Sequence, residues 1–181
     1  MNTLDTETSL VDLLNNMDKK TVNPLQIMKI NNEYLDSDSK SGHSKTLNRC
    51  ILKVIHLNIH SLPDKFDKLK LLLISTKLDP DLILLCETFL NDNNQNLYQL
   101  NGYQFVSKPR VNKACGGVAI YVKNELNFKM RNDISPHTEG IFETIMIEII
   151  NKEKRYIIGE IYRPPNTNEQ IALNNYEETL N

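Results

Sequence analysis

The chain has 181 residues, a formal net charge of −2, and a composition that is 40% hydrophobic and 24% charged. These values are typical of one ordinary globular domain, and they give no whole-chain electrostatic argument for nucleic-acid binding. The three cysteines are far apart and form no CxxC pair, which argues against a disulfide framework or a zinc site and favours a reducing compartment. Without a secretory signal or an apolar stretch of about 20 residues, we expect an intracellular protein, cytoplasmic or nuclear, that does not bind membranes.

Residues 1–50 differ in character from the rest. They contain long polar runs, and only two short stretches, 9–17 and 24–34, show partial amphipathic spacing. A segment of this kind buries too little apolar area to offset its ordering entropy. We therefore interpret residues 1–50 as polar, disordered or made of short helices, and residues 51–181 as the folded domain.

A strand, a helix and a second strand follow one another at the start of this domain. Residues 52–58 and 81–87 are apolar runs that each end in a polar residue. Between them, Leu62, Phe66, Leu69 and Leu73 recur with helical spacing, and Ser61 with Asp64 three residues later resembles a capping box.

Asn58 and Glu87 end these two strands. Crossovers of this kind are right-handed and make the strands parallel, so both residues are expected at the same carboxyl edge of one sheet. A carboxylate beside an amide oxygen is a plausible half-shell for Mg²⁺, which prefers one or two carboxylates and several waters. A working site of this type needs further ligands.

Antiparallel β-structure is predicted beyond Glu87. The strand at 142–150 is apolar on both faces, which indicates a central position in its sheet. Pro164 and Pro165 end the later strand at 155–162, and Thr167 or Asn168 would cap a final helix. The predicted strands cover residues 103–106, 118–122, 126–130, 142–150 and 155–162.

Four segments in this order resemble one family. They are Leu57-Asn58-Ile59-His60-Ser61-Leu62, Cys86-Glu87-Thr88-Phe89-Leu90, Gly116-Gly117-Val118-Ala119-Ile120-Tyr121-Val122 and Ile161-Tyr162-Arg163-Pro164-Pro165-Asn166. The resemblance is to the endonuclease/exonuclease/phosphatase family, specifically the apurinic-endonuclease-like domain of non-LTR retrotransposon polyproteins. It implies an α/β fold, a four-layer sandwich of two facing sheets, of which residues 51–181 form the N-terminal part.

The resemblance also implies roles for four residues. Glu87 corresponds to the family's principal metal-binding carboxylate, and Asn58 to the active-site asparagine that helps to place the metal. Tyr162 corresponds to the tyrosine that contacts the phosphate, and Asn166 to an asparagine that supports the same region. The implied cofactor is Mg²⁺ or Mn²⁺, the implied partner of full-length relatives is DNA, and the implied reaction is metal-assisted phosphodiester hydrolysis.

The sequence departs from this family in its later motifs. Neither the Gly-Asp-Phe-Asn segment nor the Ser-Asp-His segment is present. Hence we expect a truncated domain with weak metal binding and little or no activity, since general acid–base help is usually worth about 10²–10⁴-fold. His60 and Phe89 are smaller departures, because related elements usually carry Arg and Trp there.

Other functions stay open at this point. A non-catalytic binding protein would use the open sheet edge of the half-sandwich for self-association or for a partner, and a phosphatase of the same family is a further, less favoured alternative. Four basic residues are candidates for contacts to the DNA backbone, with a solvated loop as the alternative: Lys108, Arg110, Lys113 and Arg163. His56 is interpreted as a core histidine and Cys86 as a small hydrophobic residue.

Overall fold

The computed structural model describes residues 26–30, 52–112, 115–151, 154–165 and 167–180. It contains eight strands and two helices within these ranges, joined by two single turns of 3₁₀-helix at Gln95–Leu97 and Asn132–Ile134. The strands are β1 Gln26–Ile30, β2 Leu52–Asn58, β3 Leu82–Cys86, β4 Tyr103–Lys108, β5 Val118–Lys123, β6 Asn127–Met130, β7 Glu143–Asn151 and β8 Lys154–Tyr162. The helices are α1 Leu62–Thr76 and α2 Glu169–Leu180.

Two sheets form the centre of the molecule. The first has five strands in the order β1-β2-β3-β5-β4, with β2 and β3 parallel and the other pairs antiparallel. The second is antiparallel, with the order β6-β7-β8. The sheets face one another across an apolar core, and α1 packs on the outer face of the first sheet. This confirms the predicted α/β fold and the central position of β7.

Helix α1 begins where the sequence predicts. Ser61 is its N-cap, and the Ser61 hydroxyl accepts a hydrogen bond from the Asp64 backbone N–H (3.4 Å) and donates to Asp64 Oδ2 (2.6 Å). Pro63 lies in the first turn, where its missing N–H leaves no helical bond unmade. Leu62 and Leu69 are fully buried against the first sheet.

The inter-sheet core is apolar along most of its length and polar at one end. Strand residues alternate between faces, so β2 directs Leu52 and Val54 into this core, while Leu57 lies on the opposite face. The same alternation brings polar side chains to the carboxyl ends of β2, β3 and β8. This polar end comprises His56, Asn58, Cys86, Glu160 and Tyr162.

One element differs from the sequence expectation. Residues 24–34 show partial helical spacing, yet Gln26–Ile30 forms a strand that pairs antiparallel with β2 over the whole of its length. A short stretch with only partial helical spacing cannot compete with a strand edge that offers a ladder of backbone partners. Within the described part of the chain, no helix is long and apolar enough to cross a bilayer.

Candidate active site at the carboxyl edge of β2 and β3

Asn58, Glu87 and Tyr162, which we call the edge site, meet at one carboxylate. The Asn58 side-chain amide donates to Glu87 Oε1 (2.8 Å), and the Tyr162 hydroxyl donates to the same oxygen (3.0 Å). Asn58 ends β2, Glu87 follows β3, and Tyr162 ends β8 in the facing sheet. The sequence prediction that Asn58 and Glu87 lie at the same edge is thus confirmed, and the second sheet brings Tyr162 to them.

The backbone around the edge site is strained. Four non-glycine residues just after β2 and β3 have positive φ: His60, Ser61, Glu87 and Phe89. Such conformations cost about 1–3 kcal/mol each and persist only where the surroundings impose them. Here the two loops hydrogen-bond to one another, for example from Ser61 N to Glu87 O (2.9 Å) and from Leu62 N to Thr88 O (2.9 Å), and the His60 and Phe89 rings are in contact.

Glu87 forms no ion pair among the described residues. Both donors that reach it are neutral, and neither of them contacts Oε2. Asn58 Oδ1 is buried and has no hydrogen-bond partner in the described part of the chain. Burial and the hydrogen bond to Glu87 raise the pKa of the Tyr162 hydroxyl, which therefore stays a proton donor at neutral pH. A carboxylate without a cationic partner and an amide oxygen without a hydrogen-bond donor are the ligand types that a hard cation prefers.

A second glutamate, Glu143, is the cross-strand partner of Tyr162 in the second sheet. Its carboxylate is fully buried and accepts from Arg110 Nε (2.5 Å), Gly117 N (2.7 Å) and Gly140 N (2.8 Å). Arg110 is itself 7% exposed. This centre is therefore a closed, charge-neutral unit, unlike the edge site.

Three further residues of the polar end, which we call the His56 cluster, lie deeper in the core. His56 Nε2 is 3.0 Å from Glu160 Oε1 and 3.9 Å from Cys86 Sγ. The three ligand-type atoms all lie within 4.8 Å of one another. Hydrogen bonding to Glu160 raises the pKa of His56, and burial raises that of the Cys86 thiol. His56 was predicted to be a core histidine, but its side chain is 28% exposed, so it lies at the margin of the core, and its partner Glu160 was not foreseen.

The other candidates are distributed as follows. Lys108 Nζ donates to Ser135 O (3.0 Å), and burial lowers its pKa. Arg110 is bound to Glu143, as described, and Arg163 is exposed and donates to Thr167 O (3.3 Å). Asn166 and Lys113 lie outside the described residues. The DNA-contact roles of these basic residues stay predictions.

Glu143 and Glu160 are the residues that sequence reasoning missed. Both lie in isoleucine-rich strands, and the two-residue alternation of β7 and β8 places each of them on the face that carries Ile145, Ile147 and Ile158. A carboxylate in register with buried isoleucines is a signal that the sequence contains. What the sequence does not give is the partner, since Arg110 and His56 lie 33 and 104 residues away.

No protein-family model and no curated protein matches the sequence. Solved structures do match. The endonuclease domain of TRAS1, a telomere-specific non-LTR retrotransposon, is 12% identical over 70% of this chain, with a TM-score of 0.53. The AP endonuclease LMAP from Leishmania major is 21% identical over 90% of it (TM-score 0.48), and the 3′ phosphatase NExo from Neisseria is 21% identical over 59% (TM-score 0.39).

The chain spans only part of each of these structures, namely 52%, 52% and 40% of their lengths in the same order. At such identities the likeness concerns the fold, and it rests on the TRAS1 domain, whose TM-score exceeds 0.5. The two facing sheets, with a helix on the first, agree with this likeness in fold. The described residues therefore have a fold of the endonuclease/exonuclease/phosphatase type, as the sequence motifs predicted.

Proposed function

We propose that this chain is the N-terminal part of a Mg²⁺-dependent DNA endonuclease domain of the non-LTR retrotransposon type. The observation that supports this most is the edge site: three residues that the family resemblance had singled out converge on the Glu87 carboxylate, although 104 positions separate Asn58 from Tyr162 in the sequence. Their meeting point is the carboxyl edge of parallel strands, where ligands of open α/β sheets bind.

The residues of the edge site fit a divalent cation. Glu87 supplies a carboxylate that no cation neutralises within the described residues, and Asn58 supplies a buried amide oxygen without a partner. A Mg²⁺ or Mn²⁺ ion held by Glu87 and Asn58 would supply Lewis-acid polarisation of a phosphodiester. One carboxylate and one amide leave most coordination positions to water, so we expect weak binding.

Each protein group then has a distinct task. The Tyr162 hydroxyl would turn from Glu87 to donate a hydrogen bond to a non-bridging phosphate oxygen, because its raised pKa keeps the proton in place. The hydrogen bonds between the two strained loops would fix Glu87 relative to Asn58 before substrate arrives. Nothing in this set orients the attacking water. Accordingly we propose that the 181-residue chain alone hydrolyses DNA slowly or not at all.

Metal binding is the first test. Thermal unfolding of the full chain, measured with Mg²⁺ or Mn²⁺ against EDTA, should show a rise in Tm that grows with ion concentration. Glu87→Gln should abolish this rise, whereas Glu125→Gln, in an exposed turn, should leave it unchanged. An equal rise in wild type and Glu87→Gln would contradict the assignment of Glu87 as the ligand.

DNA chemistry is the second test. In a supercoiled-plasmid nicking assay with Mg²⁺, we expect the wild-type chain to differ little from Glu87→Gln. In fluorescence anisotropy with a duplex oligonucleotide, Mg²⁺ should tighten binding by the wild type and not by Glu87→Gln. Mg²⁺-dependent nicking that Glu87→Gln removes would overturn the proposed inactivity. Failure of DNA to bind while the ion does bind would overturn the nucleic-acid assignment.

A second candidate function, a non-catalytic interaction module, is favoured by one observation. β8 forms the end of the second sheet among the described strands, and it carries two exposed apolar side chains, Ile157 (48% exposed) and Ile161 (41% exposed). Unpaired strand edges with apolar side chains promote pairing with another chain. Light scattering of the purified chain tests this: a defined dimer that Ile157→Lys dissolves would support association, and a monomer at high concentration would argue against it.

A further inference from the structure

We propose that the His56 cluster is a second cation site, separate from the edge site and selective for a zinc-class divalent ion. His56, Cys86 and Glu160 offer one imidazole nitrogen, one sulfur and one carboxylate oxygen. Nitrogen and sulfur are ligands that Zn²⁺ and Co²⁺ take readily, whereas Mg²⁺ prefers oxygen. The two sites therefore differ in ligand chemistry as well as in position.

Two of the three distances between the ligand atoms bracket the spacing around a tetrahedral ion, and the third, from Cys86 Sγ to the Glu160 carboxylate oxygen, is at most 4.8 Å. Zinc lies about 2.0–2.3 Å from such ligands, so in a tetrahedral site neighbouring ligand atoms are roughly 3.3–3.6 Å apart. The distances from His56 Nε2 are 3.0 Å to Glu160 Oε1 and 3.9 Å to Cys86 Sγ, on either side of this value. Rearrangements of a few tenths of an ångström along these two edges, with Cys86 Sγ and the Glu160 carboxylate oxygen brought to the same spacing, would accommodate the ion.

Burial and charge favour an ion at this position. The Glu160 side chain is 3% exposed, and its ion-pair partner among the described residues is His56, which carries a charge only when protonated. A buried carboxylate without a fixed counter-charge is costly, and a cation between Glu160 and Cys86 would remove that cost. The His56 side chain is 28% exposed and provides an entry path from solvent. On binding, the S–Zn bond forms as the thiol proton leaves to water.

The strand geometry keeps this site apart from the edge site. His56 precedes Asn58 by two residues on β2, and Glu160 precedes Tyr162 by two residues on β8, on the same face. Two residues of strand correspond to roughly 6.6 Å. Three protein ligands with a fourth position for water are sufficient for zinc. The absence of a CxxC pair argued against a zinc site in the sequence. The three ligands come from three strands of two sheets, so cysteine spacing gives no signal of such a site.

Cobalt is the probe for this proposal, because thiolate-bound Co²⁺ has an intense charge-transfer absorption. The experiment uses the untagged full chain with Cys50→Ser and Cys115→Ser, so that Cys86 is its sole thiol. We expect one Co²⁺ per chain, with a thiolate charge-transfer band that stoichiometric Zn²⁺ removes and that excess Mg²⁺ leaves in place. Cys86→Ala should abolish the band, and Glu160→Gln should weaken Co²⁺ binding at least about 10-fold. Glu87→Gln should retain the band.

Two results would overturn the proposal. One is the absence of the band from a chain whose circular dichroism shows it to be folded. The other is a band that survives Glu160→Gln with unchanged affinity. Should Cys86→Ala fail to fold, His56→Gln serves in its place, because it keeps a donor to Glu160 while removing the imidazole ligand. Loss of the band in Glu87→Gln would mean that the two sites are one.

Discussion

Glu143 and Glu87 lie at the same end of the inter-sheet core, yet their surroundings are opposite. Glu143 is fully buried, and its carboxylate is neutralised by Arg110 and bound by the backbone N–H groups of Gly117 and Gly140. Glu87 is only partly buried, and it accepts from the neutral side chains of Asn58 and Tyr162 alone among the described residues.

The difference separates a structural carboxylate from one that is available to a ligand. A buried charge with a complete set of partners holds parts of the fold together, and Glu143 links the strand β7 to the turn at Gly140 and to the start of β5. A carboxylate without a counter-charge contributes little to folding and retains its attraction for a cation. Four substitutions test this contrast, beginning with the one of largest expected effect.

Glu143→Gln should destabilise the protein strongly. The amide cannot neutralise Arg110, which would remain buried with an uncompensated charge, and breaking a buried pair in this way typically costs about 3–5 kcal/mol. Urea unfolding followed by circular dichroism measures the loss. A cost below about 1 kcal/mol would show that the Arg110–Glu143 centre is not the structural element that its burial indicates.

Gly117→Ala should weaken the same centre through the backbone. Gly117 has φ +83°, and a Cβ there would lie 2.7 Å from Thr88 Oγ1, so the N–H that Glu143 binds would have to shift. We expect a loss of roughly 1–3 kcal/mol. Gly102→Ala is the matched control, because Gly102 has a similar φ of +87° with nothing within 4 Å of the added Cβ. Equal losses in the two variants would mean that φ strain, and not the contact with Thr88, decides.

The sequence predicts one side of this contrast better than the other. Periodicity and caps place β2, α1 and β3, so Asn58 and Glu87 follow from local patterns and the parallel crossover rule. Tyr162 is predicted as a site residue only by the motif resemblance. The pairings of Glu143 with Arg110 and of Glu160 with His56 depend on how the second sheet faces the first, and local patterns carry no information on that. Local patterns also do not predict the positive φ of Glu87, because glutamate rarely adopts it and the surrounding hydrogen bonds impose it.

Glu148 extends the contrast to acid pH. Its pKa is lowered by Lys129 first, and Arg155 and Arg131 add to the effect. A carboxylate whose pKa is lowered on folding contributes stability above its unfolded pKa, about 4.5, and this contribution disappears as the pH falls through the folded value. Glu148→Gln should therefore lower the Tm at neutral pH and reduce the fall in Tm below about pH 4.5. Parallel Tm profiles of variant and wild type from pH 7 to pH 2 would contradict the ion-pair role of Glu148.

Glu87→Gln should have the smallest effect on stability, and its sign is the most informative. The amide oxygen can still accept from Asn58 and Tyr162, so the variant loses only the extra strength of two charge-assisted bonds, roughly 1 kcal/mol each. Against this, it no longer holds a partly buried charge without a counter-ion, and relieving that is worth a similar amount or more. In EDTA we expect the free energy of unfolding of Glu87→Gln to exceed that of the wild type by no more than about 1 kcal/mol. The same isosteric change thus has opposite consequences at positions 143 and 87. A large loss at both would mean that Glu87 is a second structural carboxylate, and the case for a cation at the edge site would fail with it.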